Sequence, residues 1–183
     1  MTYSKTITLK DGRLCTLRNG TAKDAQGALD NFNLTHAETP FLMTYPDENC
    51  LSLKSEASFL EEKSESDDEV ELLAVVDGKI VGSAGYESTG LKAKLRHRAE
   101  FGISIESAYW GLGIGRALTL SCIDLARQAG FLQLELEVVA ENERAIALYK
   151  SAGFVEYGRN PRGFRTREGR YQELVLMRLE LDI

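Results

Sequence analysis

The sequence predicts an α/β fold on a mixed sheet, and three observations carry that prediction. Two Asp-Gly pairs, Asp11-Gly12 and Asp77-Gly78, each stand between short alternating runs and read as antiparallel hairpins. In the middle, "ISIESAYWGLGIGRAL" runs from a strand through a glycine-rich turn into a helix, and "LQLELEVV" follows as the next strand. That is a strand–helix–strand crossover. The chain then closes on "VEYGR" and "YQELVLMRLEL", two strands read as antiparallel.

The elements follow in order. "TITLKDGRLCTLRNGT" supplies the first hairpin, and Thr21 to Asp24 resembles a capping arrangement that opens a helix to about His36. Pro40 and Pro46 forbid regular helix in "ETPFLMTYPDEN", which is therefore a loop carrying apolar groups. A second helix spans Ser52 to about Ser64. Leu72–Val76 and Ile80–Tyr86 flank the second Asp-Gly pair, and "AEFGISI" is the next strand. A helix from about Gly115 to Ala129 leads to "LQLELEVV". A brief helix in "ENERAIALYKSAGF" then ends at Gly153-Phe154, with Asn142 suited to its N-cap and Gly153 to the position after its C-cap. No repeat, low-complexity tract or linker divides the chain, so residues 1–183 are expected to form one domain.

Composition narrows the function classes. With 43% apolar and 27% charged residues the chain has the makeup of a soluble globule, and no stretch approaches the roughly 20 apolar residues of a membrane helix. The start, "MTYSKTITLKDGR", has no apolar core of a signal peptide, which makes the cytoplasm the expected compartment and a membrane partner unexpected. The formal net charge of −6 argues against a nucleic-acid partner and suits a cationic small molecule or an exposed amine. Cys15, Cys50 and Cys122 are odd in number and far apart, and His36 and His97 are distant from them, so neither a disulfide framework nor a metal site is expected. Residues 56–71 hold eight acids against Lys63. They read either as a solvated helix end and loop or as an acidic lip that attracts a cation.

The glycine turn carries the first chemical signal. Gly111, Gly113 and Gly115 free the backbone to aim several N–H groups at one point, where the positive end of a helix dipole adds to them. The result is an anion site that fits a pyrophosphate. It is not a Rossmann loop, because Arg116 and Leu118 stand where the third glycine would fall, and no Gly-Lys-Ser/Thr sequence exists for a Walker loop.

Here the chain resembles the GNAT superfamily of N-acetyltransferases. Gly113 and Gly115 match the small positions of that family's [Q/R]-x-x-G-x-[G/A] loop, with Trp110 where Gln or Arg is usual. Asn142, Ala145, Leu148, Tyr149, Gly153 and Phe154 match N-x-x-A-x-x-L-Y-x-x-x-G-F throughout. The resemblance covers residues 70–180. It is similar to the ribosomal-protein alanine branch in "LEVVAENERAIALYKSAGF", and looks more like the spermidine and ribosomal-serine branch in "RHRAEFGISI" and "EGRYQELVLM".

The resemblance implies a mostly antiparallel twisted sheet with helices on both faces and acetyl-CoA as co-substrate, without a metal. It implies transfer by direct attack of a primary amine, from a small amine, a polyamine or a protein N-terminus. Tyr149 is then the general acid for the departing thiolate, and Asn142 contacts the pantetheine arm. Glu137 matches the proposed base of the ribosomal alanine enzymes, and Glu100 an acid near the substrate in the polyamine branch; either is a candidate base. The backbone along Ile103, Ser104 and Ile105 is expected free for the pantetheine amides. Amides from Leu112 through Gly113, Ile114, Gly115 and Arg116 to Ala117 are expected to cup the pyrophosphate, with Arg116 or Lys150 reaching a phosphate. The Arg-rich stretch Arg159, Arg162, Arg165, Arg167 and Arg170 is expected to be a mobile loop between the last strands. None of the three cysteines lies in a motif, which speaks against a covalent acyl-enzyme. A non-catalytic acyl-CoA-binding regulatory module is the alternative reading, and a homodimer is compatible with both.

Overall fold

The computed structural model describes residues 2–181. Its strands are β1 (Ser4–Thr8), β2 (Leu14–Asn19), β3 (Val70–Val76), β4 (Lys79–Ser88), β5 (Arg98–Ile105), β6 (Gln133–Val139), β7 (Val155–Arg165) and β8 (Tyr171–Glu180). Its helices are α1 (Ala25–Glu38), α2 (Leu53–Glu65), α3 (Ile114–Gln128) and α4 (Glu143–Ser151). The strands form one sheet in the order β1-β2-β3-β4-β5-β6-β8-β7, antiparallel except where β5 meets β6. Among the described residues no helix is long and apolar enough to cross a membrane.

Local chemistry accounts for most boundaries. Asp77 and Gly78 adopt φ of 50° and 78°, the left-handed pair that a two-residue hairpin needs. The first hairpin differs: β1 and β2 are joined over residues 9–13, and the Asp11 carboxylate accepts from the Arg13 amide at 3.1 Å within the turn. Ser52 caps α2 by accepting from the Ser55 amide, and Asn142 caps α4 by accepting from the Ala145 amide. Gly153, at φ 102°, ends α4 in the left-handed conformation.

The Arg-rich stretch departs from expectation. Arg159, Arg162 and Arg165 belong to β7, an 11-residue strand, and only residues 166–170 turn into β8. Pro161 is tolerated because β7 is the sheet edge and its register shifts between Asn160 and Phe164, so no ladder bond is lost to the missing N–H. The strand is anchored by Arg159, which pairs with Glu156 and Glu173, each at 2.7 Å.

Alternation along the strands sorts the two faces. Leu72 and Ala74 of β3, Ala84 and Tyr86 of β4, Phe101 of β5 and Leu134 and Leu136 of β6 pack with Leu118, Cys122 and Ala126 of α3 in the main core. The intervening residues Glu71, Ser83, Gly85, Glu100, Gly102 and Ser104 face the opposite side, under α1 and α2. The sheet is thus covered by helices on both faces.

The sheet does not close evenly. β4 and β5 pair from Gly82↔Ile105 to Ser88↔Ala99, whereas β5 and β6 pair only at Arg98↔Gln133, Ala99↔Leu134 and Glu100↔Glu135. Beyond those rungs β6 stays on β8 as far as Val139↔Leu174, so β5 and β6 diverge and leave a wedge-shaped opening in the sheet.

Candidate active site

The wedge exposes backbone. The Glu106 amide donates to Val81 on the β4 side, so the peptide carbonyl before it, that of Ile105, points the other way, toward the wedge. Strand alternation gives the main-chain groups of Ile103 the same direction. The Ile105 carbonyl is not free, as the sequence led us to expect: the Trp110 indole donates to it at 2.7 Å. Trp110 also lies under the Arg144 guanidinium of α4, at 4.5 Å from the ring centroid. The residue that departs from the family loop pattern is therefore a strut between β5, the glycine turn and α4.

The glycine turn meets the wedge at the start of α3. Gly111 and Gly113 have φ of 76° and 105°, and nothing lies within 4 Å of where a Cβ would stand on either. Side chains there would be strained and would stand in open space in front of the turn. A Cβ on Gly115 would lie 3.2 Å from Leu148 and 3.4 Å from Ile105, so glycine lets α3 approach α4 and β5 closely. The Ala117 amide is spent on the Gly113 carbonyl at 3.1 Å, which removes it from the expected anion cup. The amides of Ile114, Gly115 and Arg116 precede it and have no intrahelical acceptor. The helix dipole stands behind them, an arrangement whose chemistry suits an anion.

α4 brings Tyr149 to the wedge. Its ring is 7% exposed and meets Phe101 edge-on at 6.2 Å and Phe154 at 5.9 Å. Burial alone pushes its hydroxyl well above the usual phenol range, so it is protonated at neutral pH. The hydroxyl has no partner among the described residues, yet it is not one of the sealed, unsatisfied polar atoms, which include the Tyr86 hydroxyl. It therefore keeps some accessible surface.

On the other face, a cavity of about 560 Å³ lies between the sheet and α1, α2 and the 39–52 loop. Glu100 lines it, on the last rung that joins β5 to β6. Glu87 is the direct partner of Glu100 on β4, and beyond β4, two residues out of register with Glu100, lies Glu71, which the sequence left within an acidic run. Its carboxylate lies over Gly85, with Oε2 2.2 Å from where a Cβ would be. Burial, with Glu56 and Glu87 adding repulsion, raises the Glu71 carboxyl to about 7. The signal that would have found it is the small-residue pattern opposite: Gly85 pairs with Gly102 and Ser83 with Ser104, a floor without bulk.

Other expected residues fall elsewhere. Glu137 is exposed on β6 beyond the last β5 rung, on the Glu100 side of the sheet but outside the cavity lining. Glu135 is committed to Arg98, which grips both its oxygens, and acts as a structural clamp where β5 joins β6. Arg116 donates to the Ser151 hydroxyl at 3.0 Å, and Lys150 is exposed. Within the acidic stretch Lys63 is buried and binds Glu69 at 2.5 Å and Glu87 at 2.8 Å. Glu56, Glu71 and Glu100 face the cavity without a basic partner at hydrogen-bonding distance among the described residues.

Comparison with known proteins places this geometry in a wider set. The model of the acetyltransferase (GNAT) family matches residues 34–154. The L-amino acid N-acyltransferase MnaT of Escherichia coli is 29% identical over 111 residues, 61% of this chain and 64% of that protein. The chain spans 64% or less of the length of the curated relatives it matches. Among solved structures, the acetyltransferase of the GNAT family from Streptococcus pneumoniae superposes with a TM-score of 0.87 at 30% identity, covering 91% of this chain and 99% of that one. The yncA protein of Salmonella typhimurium, solved with its cofactor acetyl-CoA, shares the fold at a TM-score of 0.81 and 22% identity, covering 92% of this chain and 94% of that one.

Proposed function

We propose, from the premise that this chain belongs to the acetyltransferase (GNAT) family, that it moves an acetyl group from acetyl-CoA to a primary amine in a ternary complex. The observation that carries the reading is the divergence of β5 from β6 after Glu100, with Tyr149 on one side of the opening and the Glu100 cavity on the other. Coenzyme and amine reach the same gap from opposite faces.

The main-chain groups of Ile103 bind the pantetheine arm as an extra strand would, beside Ser104 and the Ile105 amide, and Asn142 at the head of α4 flanks the arm. The amides of Leu112 to Arg116 receive the pyrophosphate. The thioester carbonyl then lies in the wedge, where the amine nitrogen attacks it. A new C–N bond forms, the tetrahedral intermediate collapses, and the C–S bond breaks with its electron pair on sulfur. The Tyr149 hydroxyl donates to that thiolate and is reprotonated from solvent. Burial that keeps the phenol protonated equally disfavours a free thiolate in the same gap, so the two proton affinities rise together.

The amine must lose a proton before or during attack. For an α-amine of pKa near 8 this costs only about 1.4 kcal/mol at pH 7, and for an alkylamine near 10.4 about 4.6 kcal/mol. Glu100 is the carboxylate we assign to this step, because it lines the cavity beside the wedge whereas Glu137 does not.

The test is a thiol-release assay with acetyl-CoA over polyamines, amino acids and N-terminal peptides, with pH–rate profiles of Glu100→Gln and Glu137→Gln. Loss of the acidic limb in Glu100→Gln alone supports the assignment, and an unchanged limb in both variants removes both residues as the base. Acetyl-CoA binding without turnover of any amine would favour a non-catalytic binding module.

A further inference from the structure

The acceptor cavity has a charge pattern that goes beyond the need for a base. No Lys or Arg among the described residues lines it. Its one basic side chain, His36, is held below the usual imidazole range by burial and bonds the Phe32 carbonyl at 2.7 Å, so it is neutral at pH 7. Lys63, the nearest buried cation, is occupied by Glu69 and Glu87. A ligand carboxylate would enter this space opposite Glu56, Glu71 and Glu100 with no unpaired cation to meet it, a costly burial.

Two of those acids stand apart across an open floor. Glu100 is on β5 and Glu71 on β3, separated by β4, so their strands lie roughly 10 Å apart. Gly85 stands directly beside Glu71 and Gly102 beyond it, two residues along β5 from Glu100, whose own partner across to β4 is Glu87; a Cβ on Gly102 would meet nothing within 4 Å. The wall above this floor includes Phe32 and Phe59, which suit methylene groups rather than polar ones.

We propose that this cavity selects a short aliphatic amine carrying a second cationic group and no carboxylate, with the reacting nitrogen at Glu100 and the second cation on Glu71. The inference rests on the acetyltransferase reading for the reacting end only. The Glu71 end is a binding site in its own right. Glu71 is poised for such a guest: its protonation midpoint of about 7 lies well above that of a solvated carboxyl, and a bound ammonium draws it to the anion. The selection runs opposite to the amino-acid acceptor in the name of the Escherichia coli relative.

Three acceptors of equal chain length isolate each element of the proposal. These are 1,5-diaminopentane, n-pentylamine, which lacks the second amine, and L-lysine, which adds an α-carboxylate. With saturating acetyl-CoA, kcat/KM for the diamine is expected to exceed each of the other two by about tenfold or more. Glu71→Gln, which keeps the shape and removes the charge, should bring the diamine-to-monoamine ratio close to one. Calorimetry of 1,5-diaminopentane with the CoA-bound chain should show the same variant weakening binding by about tenfold. Equal use of L-lysine, or an undiminished diamine preference or affinity in Glu71→Gln, would overturn the proposal while leaving acetyl transfer intact. If no amine turns over, the acetyltransferase reading fails, and the calorimetric comparison still decides the Glu71 site.

Discussion

The indole of Trp110 donates to the backbone carbonyl of Ile105 across 2.7 Å, and so ties the end of β5 to the turn that follows it. Replacing Trp110 with Phe keeps a ring under Arg144 but removes the donor. A hydrogen bond of this kind contributes about 1 kcal/mol net, and a carbonyl left without a partner costs more. We expect Trp110→Phe to loosen the glycine turn and weaken coenzyme A binding by about five- to tenfold, measured by calorimetry, with kcat at saturation much less affected. An unchanged dissociation constant would show that the strut plays no part in the anion site.

Tyr149→Phe separates packing from chemistry. The ring contacts with Phe101 and Phe154 survive, and the lost hydroxyl had no protein partner among the described residues, so the melting temperature should hold or rise slightly. Loss of a general acid typically costs about 100-fold or more in kcat. A variant with near wild-type kcat and intact coenzyme binding would remove Tyr149 from the mechanism.

Much of this arrangement was legible in the residues themselves. Asp77-Gly78 announced the β3–β4 hairpin because only a few side chains accept a left-handed backbone, and Asn142 and Gly153 marked the ends of α4 for reasons of capping. The strand-to-helix turn was readable from its glycines because positive φ and a helix start coincide there. The acceptor face was not. Whether Glu71 belongs to a solvated run or to a cavity depends on which strand it pairs with and on Gly85 opposite, a relation of residues far apart in the chain. For the same reason the sequence could not foresee that Lys63 spends its charge on Glu69 and Glu87, nor that Glu135 is held by Arg98 across the β5–β6 junction. The Arg-rich stretch read as a loop, whereas its first half is an edge strand whose register shift accommodates Pro161.

Glu71 should also leave a mark on stability against pH. Its midpoint is about 7 in the folded chain against 4.5 for a solvated glutamate. The groups facing it are Ser83 and Glu87 from β4 and Glu56 and Lys63 from α2, with Glu100 and His36 on the same cavity. A raised carboxyl favours folding while protonated, so its contribution is fully present below about pH 4.5 and is lost as pH rises through about 7. Glu71→Gln mimics the protonated form at every pH. Its melting temperature should match wild type near pH 5 and exceed it near pH 8. A difference that stays constant across that range would contradict the buried placement of the carboxyl.

The cavity floor offers a paired test in two glycines that face each other across β4 and β5. A Cβ on Gly85 would fall 2.2 Å from Glu71 Oε2 and 2.4 Å from the Val70 carbonyl oxygen. The glutamate can swing aside, but the backbone oxygen cannot, so Gly85→Ala should destabilise by about 1–3 kcal/mol, as overpacking does. Gly102 has no heavy atom within 4 Å of the same position, and its φ lies outside the left-handed range, so alanine fits without strain. Gly102→Ala should therefore melt at or slightly above the wild-type temperature, since the unfolded chain loses freedom. Its methyl nonetheless stands in the acceptor space between Glu71 and Glu100, and KM for a diamine should rise severalfold while coenzyme affinity is unchanged. The two substitutions are identical in chemistry and adjacent in space. Opposite results, one in melting temperature and the other in acceptor KM, are expected only if the space above Gly102 is where the amine lies.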